Sequence, residues 1–162
     1  MNADGSDQHK VTSNASRDER PNISLEGKKI LYMSNRDGNY EIYTMNFDGT
    51  TQTRITNTPE HEIFPMWTSD GKKVAYGLIE RVNGCPEGNI HIMNADGTGD
   101  IVITNAPGRD ENPAWSPDGK QIIFQSERDG NFEVYIMNAD GTNQVRLTKD
   151  PKWDGWPSFV KN

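Results

Sequence analysis

Apolar residues along the chain come in short bursts separated by polar turns. Ile30-Leu31-Tyr32-Met33, Val74-Ala75-Tyr76, Ile101-Val102-Ile103 and Ile122-Ile123-Phe124 are rich in β-branched and aromatic side chains. They are too short for helices, and no stretch keeps a helical period. Continuous runs, rather than strict alternation, suit strands covered on both faces. The turns between them are built on Asp-Gly, as at Asp118-Gly119, Asp129-Gly130 and Asp140-Gly141. Asp-Gly between two such runs signals a hairpin, because glycine accepts a positive φ without a Cβ clash. Three hairpins in a row between Asn112 and Thr148 predict a four-stranded antiparallel meander.

The meander is written several times. Met-Asn-Ala-Asp-Gly occurs at Met1, Met93 and Met137, and Met-Asn-Phe-Asp-Gly at Met45, with starts 44, 48 and 44 residues apart. Four strands in about 40–45 residues is the size of a propeller blade. The repeat divides the chain into three complete blades, 17–56, 61–104 and 109–148. Residues 1–12 read as the outer strand of a partial blade, with Val11-Thr12 in the place of Leu147-Thr148. Residues 153–160 read as the inner strand of a further blade. Three blades do not close a ring, since propellers use about four to eight. An open stack would expose two apolar blade faces, and large exposed apolar faces mark interfaces. The expectation is a homodimer that closes a six-bladed ring head to tail, with the duplicated ends competing for one place at each junction. The competing expectation is a fragment of a longer propeller, or an open array.

The patterns Pro-x-Trp-Ser-Pro-Asp-Gly-Lys-x-Ile-x-Phe from Pro113 and Ser-x-Arg-Asp-Gly-Asn-x-Glu-Val-Tyr-x-Met-Asn-Ala-Asp-Gly-Thr from Ser126 resemble the TolB-type β-propeller repeat. Pro113–Thr148 matches best, Pro21–Thr56 matches without the tryptophan, and Pro65–Thr104 matches with a longer middle turn. The resemblance implies an all-β, six-bladed fold that binds a protein or peptide across one mouth of its channel. It also implies a periplasmic or secreted setting, although the polar start of this chain shows no apolar signal segment. Similar propellers cap prolyl-oligopeptidase-like hydrolases, and some polysaccharide lyases are propellers. The chain offers no nucleophile elbow, phosphate loop or His-Glu-x-x-His motif. A non-enzymatic module without cofactor is therefore expected; a hydrolase cap, a lyase fragment or a purely structural array are the alternatives.

Composition adds limits. Hydrophobic content of 32% and a net charge of −7 would by themselves lean toward disorder, which the periodic strands overrule. A sequence pI near 4.9 argues against nucleic acid, whose phosphates call for basic surface. No stretch approaches the ~20 apolar residues of a membrane span. The single cysteine, Cys85, excludes an internal disulfide.

Several residue sets are candidates for function. One acid per repeat stands three residues before the first-strand proline: Asp18, Glu62, Asp110 and Asp154, with His61 beside Glu62. Inner strands line a propeller channel, so these acids would ring one mouth and attract a cation or basic peptide. Repetition in every blade equally suits a structural role, each carboxylate accepting hydrogen bonds in its own loop. Trp67, Trp115 and Trp156 are read as equivalent first-strand positions, with Ile23 in the fourth slot, forming core between blades. Ser34–Glu41 and Ser126–Glu133 look superficially like calcium loops but lack the spacing. They predict hairpin turns with an Arg–Glu pair beside them. The second blade departs from symmetry, with four extra residues between Gly77 and Asn89. Insertions in repeat proteins map to loops, often on a binding face. This makes Glu80, Arg81, Asn83, Cys85 and Glu87 candidates for recognition. His9, His61 and His91 occupy different repeat positions, so no metal site is expected.

Overall fold

The computed structural model describes Met1 and residues 3–160. Asn2, in the segment 1–12 assigned above, and Lys161 and Asn162 lie outside the described residues. Among the described residues twelve strands form three antiparallel sheets of four. The first holds β1 (Asp18–Ile23), β2 (Lys29–Ser34), β3 (Glu41–Asn46) and β4 (Thr53–Arg54). The second holds β5 (His61–Trp67), β6 (Lys73–Val82), β7 (Cys85–Asn94) and β8 (Ile101–Val102). The third holds β9 (Asp110–Trp115), β10 (Gln121–Ser126), β11 (Glu133–Asn138) and β12 (Val145–Arg146). In each sheet neighbours in sequence are neighbours in space, the meander that Asp-Gly turns dictate. Among the described residues no helix is long and apolar enough to cross a membrane.

The sheets stack face to face, and the core lies between them. Leu31 and Ile42 of the first sheet pack on Trp67, Val74, Tyr76 and Met93 of the second. Ala75, Ile90 and Ile92 on its other side pack on Trp115, Ile122, Phe124, Tyr135 and Met137 of the third. Both faces of a central strand are therefore apolar, which explains continuous runs in place of alternation.

Each junction is keyed by one glycine. Gly97 has φ +86°, and a Cβ there would overlap the Ile55 carbonyl oxygen of the first blade. Gly141 stands in the same relation to the Ile103 carbonyl, and Gly49 to that of Val11. Val11 thus docks on the first blade as Ile55 and Ile103 dock on theirs, and it packs on Ile30, Tyr32, Tyr43 and Met45. The Asp154 N–H donates to the Phe132 carbonyl at 2.8 Å, as the Glu62 N–H does to that of Tyr40 at 2.9 Å. The two terminal segments occupy the places of blade strands, although neither carries a strand among the described residues.

Two expectations change here. The first blade's face is not bare, because the segment around Val11 covers it; Tyr32 is 2% exposed. The third blade's face is more open: Ile123 and Val134 are partly exposed where their counterparts Leu31 and Ile42 are buried, and Leu147 is exposed by half. The second correction concerns Trp156. Arg20, Phe64, Asn112 and Trp156, each just before the first-strand proline, share φ values of 54–58°. The ladder shifts register at these positions in β1, β5 and β9, the mark of a bulge. Trp156 is therefore the counterpart of Phe64 and Asn112, and Phe159 is that of Trp67 and Trp115. Trp67 and Trp115 are core, whereas Trp156 is 45% exposed.

Candidate functional site

The site is built where β1, β5 and β9 converge. The four acids stand at the start of these inner strands. Asp18 pairs with Arg36 at 3.1 Å and accepts from the Asn14 amide at 2.8 Å. Burial pushes its pKa up, but hydrogen bonds from Ser34, Thr12, Asn14 and Arg36 outweigh this and hold it below the usual range. Asp110 is fully buried and pairs with Arg128 at 2.8 Å. Arg36 and Arg128 come from the Ser-x-Arg-Asp-Gly turns, and their guanidinium groups also lie over Tyr43 and Tyr135, at 4.4 and 4.5 Å from the ring centroids. The turn arginine therefore meets the inner-strand acid, and not the glutamate of its own motif. Glu41 is held instead by Arg54 and Asn39, and Glu133 by Arg146 at 2.7 Å, Asn131 and Thr148. Asp154 is partly buried at the fourth such position.

Glu62 differs from Asp18 and Asp110. The second blade has Leu78 and Glu80 where the others have Ser-x-Arg, so no arginine reaches it. Glu62 is fully buried, accepts from the Thr58 hydroxyl and lies beside the buried Glu41. The Oε2 atoms of both glutamates lack any other partner. Burial first, then the charge of Glu41, pushes the Glu62 carboxyl up to about 8. A proton on Glu62 would let the two orphaned oxygens share a hydrogen bond.

The insertion in the second blade is a strand pair and not a loop. β6 and β7 run four residues further than their counterparts and stay paired to Val82 and Cys85. The Asn83-Gly84 turn closes the ladder with φ of 53° and 83°, the signature of a type I′ turn. Glu80, Arg81, Asn83 and Cys85 are exposed on this hairpin. Arg81 donates to the Gly84 carbonyl at 3.2 Å. Glu87 points back and accepts from the Gly108 N–H at 2.7 Å, tying the hairpin to the third blade. His61 accepts from the Tyr40 N–H at 3.1 Å through Nδ1. Pro59, Glu60, His61, Ile79, Glu80, Arg81 and Pro86 enclose a depression of about 350 Å³. His61 and the hairpin, assigned to separate candidate sets from sequence, thus form one place. Among the described residues no group of His, Cys, Asp or Glu is arranged to hold a metal.

The residues that sequence reasoning passed over are those at the bulges. Arg20, Phe64 and Asn112 line an axial cavity of about 150 Å³. Trp156 reaches the same group, its ring 5.6 Å from that of Phe64 and 4.0 Å from the Arg20 guanidinium carbon. The signal was present in the sequence: flanks that repeat around a position that does not.

Known proteins place this architecture. No curated protein sequence matches the chain. Solved structures superpose well on it. TolB from Acinetobacter baumannii aligns with 91% of this chain and 36% of its own, at a TM-score of 0.76 and 22% identity. Oligogalacturonate lyase from Vibrio parahaemolyticus aligns with 91% of this chain and 45% of its own, at 0.66 and 15%. The β-propeller domain of the Trilobed protease from Pyrococcus furiosus aligns with 83% and 43%, at 0.62 and 17%. The chain thus spans about a third of that TolB structure and less than half of the other two. At these identities the likeness is one of fold. The family model for the TolB beta propeller domain matches residues 77–162, just over half of the sequence. Repeat, sheet order and family model agree: the chain belongs to the TolB β-propeller domain family.

Proposed function

We propose that the chain is a non-enzymatic, protein- or peptide-binding propeller module whose blades complete a ring with those of a second copy. The observation that carries the binding reading is the second-blade hairpin. It alone replaces a turn that the other blades share, and it walls a depression with His61 beside the inner-strand acids. A solenoid or propeller repeats what its fold needs, so a departure confined to one blade suits a ligand. Membership of the TolB family supports a protein or peptide as that ligand, in a periplasmic or secreted setting. The half-exposed Leu147 and the partly exposed Ile123 and Val134 support ring completion, because Leu147 follows Val11, Ile55 and Ile103 in the series yet has no keying glycine beneath it. In a head-to-tail pair the third blade of one copy takes the place of residues 1–12 on the partner.

Peptide selection against the immobilised chain tests the binding reading. Selected peptides should bind saturably and lose at least about tenfold in affinity with Glu80→Ala plus Arg81→Ala, the loss of anchoring contacts. Peptides that bind equally to a chain with this hairpin trimmed to a two-residue turn would refute the site.

A further inference from the structure

The four bulge positions carry one backbone and four side chains. Arg20, Phe64, Asn112 and Trp156 adopt the same left-handed φ, each followed by proline and each two residues after an acid. A structural need would repeat the side chain as it repeats the proline. Here symmetry is broken at the axis, where the inner strands meet.

What these side chains form is a clasp. The Arg20 guanidinium carbon lies 4.0 Å from the Trp156 ring centroid and 5.0 Å from that of Phe64. The two rings meet edge to face at 86°. Aromatic faces hold a guanidinium by its plane and leave its N–H edge free. Among the described residues neither the Arg20 guanidinium nor the Asn112 carboxamide has a hydrogen bond or ion pair. Three neighbouring carboxylates are engaged elsewhere, Asp18 with Arg36, Glu62 with Thr58 and Glu111 with Gln125 at 2.9 Å, and among the described residues no ion pair joins Asp154 to Arg20. Beside the clasp lies the axial cavity of about 150 Å³.

We propose that Arg20, clasped between Phe64 and Trp156, is the receptor for one carboxylate of a peptide that enters the axial cavity. This deepens, and rests on, the reading of the chain as a peptide-binding propeller. One guanidinium fork and one amide match a planar, singly charged carboxylate, which arginine binds in bidentate fashion. A phosphate calls for a cluster of cations, and among the described residues Arg20 is the one cation that lines the cavity. The cavity admits an acidic side chain or a chain terminus, and excludes a folded partner. It also changes the expected character of the mouth: Asp18 and Asp110 face their own arginines, Glu62 is buried against Thr58, and Arg20 presents an unpaired positive charge beside the cavity.

Nuclear magnetic resonance tests this on the whole chain, read at the Trp156 indole N–H and the Arg20 Nε–H. Four probes separate the sources of charge: acetyl-Gly-Glu-Gly-amide, acetyl-Gly-Gly with a free C-terminus, acetyl-Gly-Gln-Gly-amide and acetyl-Gly-Lys-Gly-amide. At least one carboxylate probe should shift both signals saturably and bind about tenfold or more tightly than the glutamine probe. Which carboxylate wins tells an acidic side chain from a chain terminus. Arg20→Met should abolish the effect. If that change disturbs the whole spectrum, Arg20→Lys keeps the charge, loses the fork and should weaken binding about tenfold. Equal binding of the glutamine probe, or binding unchanged by these substitutions, overturns the proposal. Saturable shifts from the lysine probe alone overturn it and leave the peptide-binding reading standing. No shift from any probe overturns the proposal, while the hairpin site stands or falls by the peptide selection.

Discussion

The buried pair Glu41–Glu62 makes stability depend on pH in a direction opposite to that of most carboxylates. Glu62 is fully buried, has no arginine, and its carboxyl is raised from the ordinary 4.5 to about 8. The folded state therefore holds this proton more tightly than the unfolded chain does. Below pH ~4.5 both states are protonated here and the full benefit is present. As pH rises the unfolded chain releases its proton first, so stability falls steadily until about 8, where the folded state ionises too. At ~1.4 kcal/mol for each unit, the shift corresponds to a ceiling of about 5 kcal/mol, and relaxation around an ionised pair brings it to about 2–4 kcal/mol. Other groups titrate as well: burial raises Glu111, while hydrogen bonds lower Asp18 and Glu133. Glu62→Gln isolates the pair, since its amide N–H can donate to Glu41 at every pH. Urea unfolding followed by tryptophan fluorescence should find the two proteins alike at pH 5. By pH 9 the variant should be ahead by about 2–4 kcal/mol. A difference that stays flat from pH 5 to pH 9 would refute the shared proton.

Other substitutions test the frame. Arg128→Ala leaves Asp110, 0% exposed, with an uncompensated charge and should cost about 3–5 kcal/mol in the same unfolding assay. Arg36→Ala should cost less, about 1–2 kcal/mol, because water reaches Asp18. Gly97→Ala forces a Cβ onto the Ile55 carbonyl and should cost about 2–4 kcal/mol, while Gly119→Ala, with φ +68° and open space around it, should cost only about 1 kcal/mol. The exposed Cys85 thiol should react fully with a disulfide reagent in the native chain, where a protected thiol would need denaturant.

Much of the fold was legible because its signals are local and repeated. Asp-Gly turns and apolar bursts mark hairpins, and the period of the Met-Asn-x-Asp-Gly motif sets the blades. The bulge before each proline was not legible, since a left-handed Arg20 or Phe64 has no glycine to announce it. Missing that residue shifted the register at the end of the chain and placed Trp156 among core tryptophans. The insertion read as a loop because its Asn83-Gly84 signal sits between charged residues that pair as strands in the open. For the acids, position was readable and partner was not: Asp18 and Arg36 are far apart in sequence and meet only because β1 and β2 pair. The exception at Glu62 was there to be read, as Glu80 stands where the other blades have arginine.

The central claim is that the open face of the third blade is completed by the first blade of a second copy. Light scattering on a sizing column, across a dilution series, tests it directly. The chain weighs 18.2 kDa. The account predicts a species of twice that mass that persists on dilution, and that deletion of residues 1–12, which occupy the partner's place, strengthens it. A monomer at every concentration, unchanged by that deletion, would contradict it.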